Sequence, residues 1–438
     1  MAQEVMMSEF DLFPKELIQN NVDRSSYNEY SPLAAITPGA AVEFAIPGSD
    51  LIALDLTKSF IYLRTKITKA DDAPPANTVN VGPVNNTLHS AFSNLDIEVG
   101  GRLISDPNGL YPYRAFLETV FSHDQDVQES RLQAQMWFKD TAGKMTTFKT
   151  LDAAAENAGL KSRAAFYSAG AEVELLGRLH GDIFHQNRCL PSNLPLKIRL
   201  TPAKNKFVLV SGDDVDANHP QVEYKFAIVD ARLFVHTFEL TKALAMAQEE
   251  AMAHDNLRYP IHRVTMKHLS IPRGQTSALH DNIYLGQLPD RIVMGFVTDA
   301  SMAGGYQQNP FNFQHFGVNY LALTVNGEQF PGKPFQPDYD NKKYIREYMS
   351  MFDGMGYLFG NKAIAISRTD YALGYTLYVF DLTADHAASN SASPPKTGSI
   401  RLEVKFAAAT TETINAVLYA EFRSRIEIDK YRNVIVPF

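Results

Sequence analysis

Apolar and polar residues alternate with a period of two through most of the chain, in short runs broken by turns. In Tyr224-Lys225-Phe226-Ala227-Ile228-Val229 the side chains of Tyr224, Phe226 and Ile228 share one side, the mark of a strand with one face buried. In the first half this reading predicts strands near 41–46, 59–67, 92–99, 172–184, 194–200, 206–210 and 223–238. Helical spacing is confined to Tyr113 to Phe121, Tyr344 to Phe352, and Leu240 to Ala253, the last rich in good helix formers behind a Thr241 cap. Residues 1–39 scatter Phe10, Leu12 and Phe13 among Asn, Ser and Pro without a period and read as an arm. Thr68 to Thr87, with Pro74-Pro75, and Ala384 to Gly398, with Pro394-Pro395, read as loops, the second of them mobile.

The pattern is written twice. Val42 to Gly48 with its Ile46-Pro47 turn matches Met266 to Gly274 with Ile271-Pro272, Phe60 to Ile67 matches Arg291 to Val297, and Asn94 to Gly101 matches Asn319 to Gly327. The helices at Tyr113 and Tyr344 follow, then Ile198-Arg199-Leu200 against Ile400-Arg401-Leu402, then the long strands Tyr224 to Leu240 and Ile414 to Ile428. Self-similarity at a near-fixed offset signals a duplicated unit, and the smaller offset at the closing strands leaves the first copy roughly 25 residues longer. Asp124 to Gly170, rich in Ala, Gln, Asp and Lys, is the place for them and is expected to be an exposed excursion.

Short alternating strands with one modest helix per copy argue against parallel βαβ architectures. The predicted fold is all-β: two tandem antiparallel jelly-roll sandwiches with short helices in loops and at the junction. The divisions are 1–39 arm, 40–240 first jelly roll, 241–257 connecting helix and linker, and 258–438 second jelly roll.

Composition narrows the function. The 438 residues are 11% aromatic and carry 27 Phe, 20 Tyr, 23 Pro and one cysteine, Cys189. One cysteine forms no intrachain disulfide and no Cys-based zinc knuckle. No run approaches the ~18 apolar residues of a membrane helix, and the N-terminus lacks a signal-peptide pattern. A net charge of −8 without a Lys/Arg cluster argues against bulk nucleic-acid binding, and no sequence-specific nucleic-acid binding is expected; the densest basic run, Lys197 to Lys206, reads as a solvated face.

The motifs for chemistry fail on inspection. Gly327 to Lys333 imitates a phosphate-binding loop, but Pro334 stands where the Ser or Thr belongs. Gly354 to Gly360 has the wrong spacing for a dinucleotide fingerprint. None of the twelve histidines forms His-X-His, the pair an oxygenase facial site needs in this fold. His262 and His268, and His180 and His185, read as surface or satisfied core residues, and Cys189 as a small buried one. Asp71-Asp72 and Asp213-Asp214 sit in loops, and Asn85-Asn86-Thr87 is a glycosylation sequon without secretion. No catalytic, cofactor-binding or metal residue is assigned, and no enzyme activity is expected; a two-carboxylate site assembled from distant segments is left open.

Two tandem jelly rolls joined by a helix, the turn Val325-Asn326-Gly327-Glu328, the run Leu288 to Val297, Asn309-Pro310-Phe311-Asn312-Phe313 and Gly177 to Phe184 resemble the double jelly-roll major capsid proteins of Polinton, adintovirus and Polinton-like virus type, in the lineage of adenovirus hexon. The resemblance spans residue 40 to the C-terminus. It implies a homotrimer whose six lobes form a pseudo-hexameric capsomer, trimer-to-trimer lattice contacts, a separate penton protein at the vertices, small surface towers, and an icosahedral shell around double-stranded DNA, assembled in host cytoplasm or nucleus. Closed threefold symmetry of a two-lobed chain does imitate sixfold packing. Tyrosine-rich loops at Tyr306 to Phe316 and Phe335 to Tyr348 are the expected contacts between trimers, and Phe10 and Phe13 are expected to clamp the arm beneath the shell. The alternatives are a tandem jelly-roll lectin, which wants matching Asp/Asn calcium loops in both copies, and a jelly-roll amidase, which wants secretion.

Overall fold

A computed structural model describes residues 19–75, 80–150, 156–213, 221–383 and 394–436. Its first sandwich contains β1 (Val22–Tyr30), β2 (Val42–Ile46), β3 (Ile52–Lys69), β4 (Phe92–Val99), β5 (Arg102–Leu103), β6 (Val173–Gly177), β7 (Leu196–Pro202) and β8 (Tyr224–Leu240). These pair as two antiparallel sheets in the orders β1-β8-β3-β6 and β2-β7-β4-β5. The second sandwich contains β9 (Leu257–Ile271), β10 (Ser277–Gln287), β11 (Arg291–Thr298), β12 (Val318–Val325), β13 (Glu328–Phe335), β14 (Leu377–Asp381), β15 (Thr397–Phe406) and β16 (Ile414–Ile428). Its sheets run β9-β16-β11-β14, with the short strand Val434–Ile435 paired beside β16, and β10-β15-β12-β13. Counted within each copy, both read 1-8-3-6 and 2-7-4-5, which is jelly-roll topology twice over.

Three expectations change. The stretch read as an arm contains β1, which pairs with β8 and places Tyr27 opposite His236. Its sequence hides this because the strand lies at a sheet edge with an open outer face, and residues such as Ser25 and Glu29 there need no apolar partner. Phe10, Leu12 and Phe13 lie outside the described residues. The two Ile-Pro turns are not equivalent: Ile46 ends the second strand of its copy, whereas Ile271 ends the first strand of the other. The remaining matches hold in topology, with a stagger of two in the penultimate strand. Val99 lies opposite Leu196 while Val325, at the same place before its Gly turn, lies opposite Ile400. A shift of two leaves every side chain on its original face.

The third change concerns the extra residues of the first copy. They are core. Leu132, Met136, Trp137, Met145, Phe148, Leu160 and Tyr167 are all buried, and α2 (Ala158–Phe166) is inserted among them, capped by the Asn157 side chain accepting from Leu160 N. Each sandwich has its own apolar centre, Phe44, Ile61, Leu63, Ile198 and Leu233 in the first, and Phe296, Leu321, Leu402 and Leu418 in the second. A third apolar mass fills the space between them and contains Leu132, Trp137, Met145, Phe148 and Leu160 of the excursion. The helix after β8, α3 (Lys242–His254), starts at Thr241, whose hydroxyl accepts from Leu244 N. The polar break at 384–393 lies outside the described residues.

Candidate functional site: the junction between the sandwiches

The junction is built on α1 (Tyr111–Ser122), the helix before the excursion, with Pro112 in its first turn where a missing amide costs nothing. Every residue from Tyr111 to Phe121 is buried, so the helix has no solvent face. Phe116 stacks flat on Phe311 of the second sandwich at 4.4 Å and meets Trp137 at 5.3 Å, while Tyr113 presents its edge to Phe311 and Phe313. These rings cover the outer side of the second sandwich's β9-β16-β11-β14 sheet, where Val264, Val293, Val297, Leu377 and Val417 are buried. Tyr306, Phe311, Phe313, Phe335 and Tyr344 are buried inside one chain, so these rings of the loops expected to join trimers pack within the chain, while Ile345 stays exposed.

A charged network is enclosed at one end of this junction. Arg114 donates from Nε to Glu118 Oε1 at 2.8 Å, one turn along α1, and from Nη2 to Asp182 Oδ1 at 2.7 Å. Asp182 Oδ1 also accepts from the backbone amide of Val264 on β9, which ties the first sandwich to the second. Glu118 Oε2 takes His180 Nδ1 at 2.6 Å and His185 Nε2 at 3.3 Å. Beyond it, a cleft of about 280 Å³ is lined by residues of both lobes, among them Arg114, Glu118, His262, Arg291, Tyr419 and Glu421.

The protonation states follow from the partners. Burial pushes the Glu118 carboxyl up, but the Arg114 guanidinium and the two imidazoles outweigh it and hold it well below the usual carboxylate range. Asp182 is moved upward by burial, which Arg114 only partly offsets. His180 is pushed down to about 4 by burial, against the pull of Glu118. His89, stacked edge-on against His180 at 4.5 Å, is held well below its ordinary value by burial and by that neighbour.

Glu118, His180 and His185 offer three cation-ligand atoms within 4.8 Å of one another. Their hydrogen bonds point elsewhere. Arg178 Nη2 approaches His185 Nδ1 at 3.1 Å; arginine only donates, so Nδ1 accepts and Nε2 carries the hydrogen that faces Glu118. At 2.6 Å His180 Nδ1 is a donor to the same oxygen. The carboxylate is thus held by Arg114 and two imidazole N–H groups, an arrangement that fixes α1 to the Asp182–His185 turn.

A second enclosed ion pair anchors the excursion. Arg163, 1% exposed, bonds to Asp140 Oδ1 at 2.6 Å and to the carbonyls of Pro83 and Phe138. Asp140 in turn accepts from Asn309 Nδ2 through Oδ2, and its carbonyl accepts from Tyr375 OH, both residues of the second sandwich.

The motifs and pairs singled out in the sequence come apart or prove structural. Gly327 to Pro334 is a hairpin turn running into β13. Gly354 closes α4 (Ile345–Gly354). Cys189 is half-buried, with its thiol pushed up by burial. Asn85 is buried, and its side chain accepts from Phe138 N, so the sequon is packing. His262 and His268 are exposed on β9. Asp71-Asp72 lie in a turn, and of Asp213-Asp214 the second lies outside the described residues. His180 and His185 do meet, through Glu118, 62 residues distant from His180. The available signal was Arg114 and Glu118 at helical spacing inside an apolar segment, a pair that stays charged only with partners.

Two side-by-side jelly rolls of identical strand order, sealed by an aromatic layer with an enclosed charge network, define the chain as a tandem (double) jelly-roll protein. A chain of the Sputnik virophage solved by cryo-EM superposes with a TM-score of 0.67 at 12% identity, covering 100% of this chain and 93% of that one. The mavirus major capsid protein gives 0.57 at 9% identity, covering 100% and 95%, and a chain of the PBCV-1 virus capsid gives 0.59 at 11%, covering 97% and 99%. In sequence, uncharacterized protein F54H12.2 of Caenorhabditis elegans is 23% identical over 408 residues, 90% of this chain and 92% of that protein. No protein-family profile matches the chain.

Proposed function

We propose that this chain is a major capsid protein: a structural unit that trimerises into pseudo-hexameric capsomers of an icosahedral shell, in a double-stranded DNA virus or a virus-like element of Polinton or adintovirus type. The observation that carries the reading is the equivalence of the two lobes, each with the order 1-8-3-6 and 2-7-4-5. Equal lobes are what a threefold assembly needs to imitate a sixfold tile. Full-length superposition on virophage and virus capsid chains supports it. A relative encoded by an animal and matched over nine-tenths of both chains suits an element carried in a host genome. The chain works by packing and not by turnover, its location is the virion, and its partners are further copies of itself and a vertex protein. Neither sequence-specific nucleic-acid binding nor a cofactor has a role in this reading, and among the described residues no helix is long and apolar enough to cross a membrane.

Light scattering and negative-stain imaging of the purified protein test this. The expected mass is three times the 48.8 kDa of one chain, with larger closed shells or sheets of hexagonal tiles at high concentration. A monomer at every concentration, or a monomer that binds glycans, overturns the reading and favours the lectin.

A further inference from the structure

Resting on the capsomer reading, we propose the surfaces by which copies join: the outer side of the first sandwich's β1-β8-β3-β6 sheet receives α4 and the turn after it from the second sandwich of a neighbouring copy. The contact is head-to-tail and closes after three.

The internal duplication points to these surfaces. Within one chain, the helix and excursion of the first sandwich cover the outer side of the second sandwich's β9-β16-β11-β14 sheet, as Phe116 on Phe311 and Trp137 in the same apolar mass show. The operation that carries the first lobe onto the second, applied again, carries the second onto the first lobe of the next copy. It then calls for the second lobe's helix to cover the first lobe's equivalent sheet. Both surfaces are present, and among the described residues nothing covers them. On the sheet, Phe60 stacks on Phe234 at 5.1 Å, Tyr27 leans on Phe60 at 5.4 Å, and Tyr27 and Leu176 are 52% and 40% exposed.

On the helix side, α4 is the counterpart of α1, yet Ile345 and Met349, one turn apart on it, are exposed, and Phe359 just beyond is 98% exposed. An open groove of about 420 Å³ lies beside them, lined by Pro331, Phe335, Met349 and Leu358. Three ion pairs flank the aromatic face, Arg24 with Glu239, Arg64 with Glu172 and Arg232 with Glu29, so covering the face strands none of these six charges. A patch of solvent-accessible rings bordered by neutralised charge is the composition of an interface centre.

Three variants and one mixture test it, each variant checked for retained fold by circular dichroism. Tyr27→Glu with Leu176→Glu breaks the sheet surface, Ile345→Glu with Met349→Glu breaks the helix surface, and Leu285→Glu, 75% exposed on β10, is the control. Sedimentation should show each double variant with its trimer dissociation constant raised at least tenfold and the control unchanged. Mixed one to one at high concentration, the two double variants retain one good contact and should give a heterodimer that cannot close. Trimers that survive both double variants, or homodimers of the helix variant in the mixture, overturn these surfaces while leaving the capsomer reading standing. A wild-type chain that never trimerises overturns both.

Discussion

The outer side of one sheet in the second sandwich is largely covered: Val264, Val293, Val297, Leu377 and Val417 are all buried there, and one end of it opens onto the cleft lined by Arg291, Tyr419 and Glu421. The corresponding side of the first sandwich carries Tyr27, Phe60, Phe234 and Leu176, each at least partly open to water, among paired Arg and Glu residues. Strand order is the same in both, so topology does not decide the fate of the surface. What covers it does. The first copy owns an excursion long enough to fill the gap over its neighbour, and the second copy has no equivalent mass to spread over the first. A surface that is permanently covered is selected for packing, and one that is covered only on assembly must stay soluble beforehand. Aromatic rings with polar edges and neutralised charges serve both states.

The largest expected effect breaks the covered side. Asp140→Ala removes the partner of Arg163 in a site where both are almost fully enclosed, and leaves a buried guanidinium together with an Asn309 donor deprived of its carboxylate. Stranding a buried charge costs about 3–5 kcal/mol, to be read as a lowered midpoint in urea unfolding. If Asp140→Ala unfolds at the wild-type midpoint, the excursion does not seal the two lobes.

Next comes a pair of substitutions on corresponding strands of the two copies, on the same outer face. Leu377 on β14 is fully buried, and Leu176 on β6 is 40% exposed. Leu377→Ala should cost about 2–5 kcal/mol through lost burial and the cavity left behind, whereas Leu176→Ala should stay within about 0.5 kcal/mol in the monomer. Equal costs measured on monomer would mean that the two surfaces are covered alike.

These contrasts mark where the sequence is legible. Most strand positions in both copies follow from alternation, because one face of each strand packs on a sandwich centre with a period of two; the run at 206–210 departs from it, being the helical turn Asn205–Val208 followed by a strand at Leu209–Ser211. The excursion escapes such a reading because its buried residues, Leu132, Met136, Trp137, Met145 and Phe148, fill a gap between two surfaces at irregular spacing, and irregular burial leaves no period. β1 is hidden for the opposite reason: Ser25, Tyr27 and Glu29 sit on an edge strand with little apolar burial to mark it. The Ile-Pro turns mislead because a strand ending is marked by the same residues whichever strand ends. Glu118, His180 and His185 converge from a helix and a distant turn, so no local pattern announces their network; only the Arg114–Glu118 spacing lies within one element.

Acidity acts on the covered side as well. His180 is neutral in the folded chain, with its pKa depressed from an ordinary 6.5 to about 4. Because the unfolded chain takes up this proton first, stability present above pH ~6.5 is lost as the pH falls toward 4, by up to about 3 kcal/mol. Glu118, also depressed, adds a loss of the same sign at lower pH, and Asp182, raised, opposes it. Urea midpoints between pH 7 and 4 should fall, and His180→Gln should flatten the slope above pH 4. An unchanged slope in that variant would mean that His180 does not carry the acid sensitivity.

The smallest effect concerns a place where the copies agree. The hairpins β4–β5 and β12–β13 both turn through a glycine in the left-handed region, Gly101 at φ +80° and Gly327 at φ +88°, and neither has any heavy atom within 4 Å of where a Cβ would stand. With space available, an alanine at either position is penalised only for its backbone, by about 1 kcal/mol. Gly101→Ala and Gly327→Ala should therefore shift the unfolding midpoint of their own sandwich by the same small amount. A large difference between them would show that one turn is held by contacts the other lacks, and that the duplication has diverged in its turns as well as in its covered surfaces.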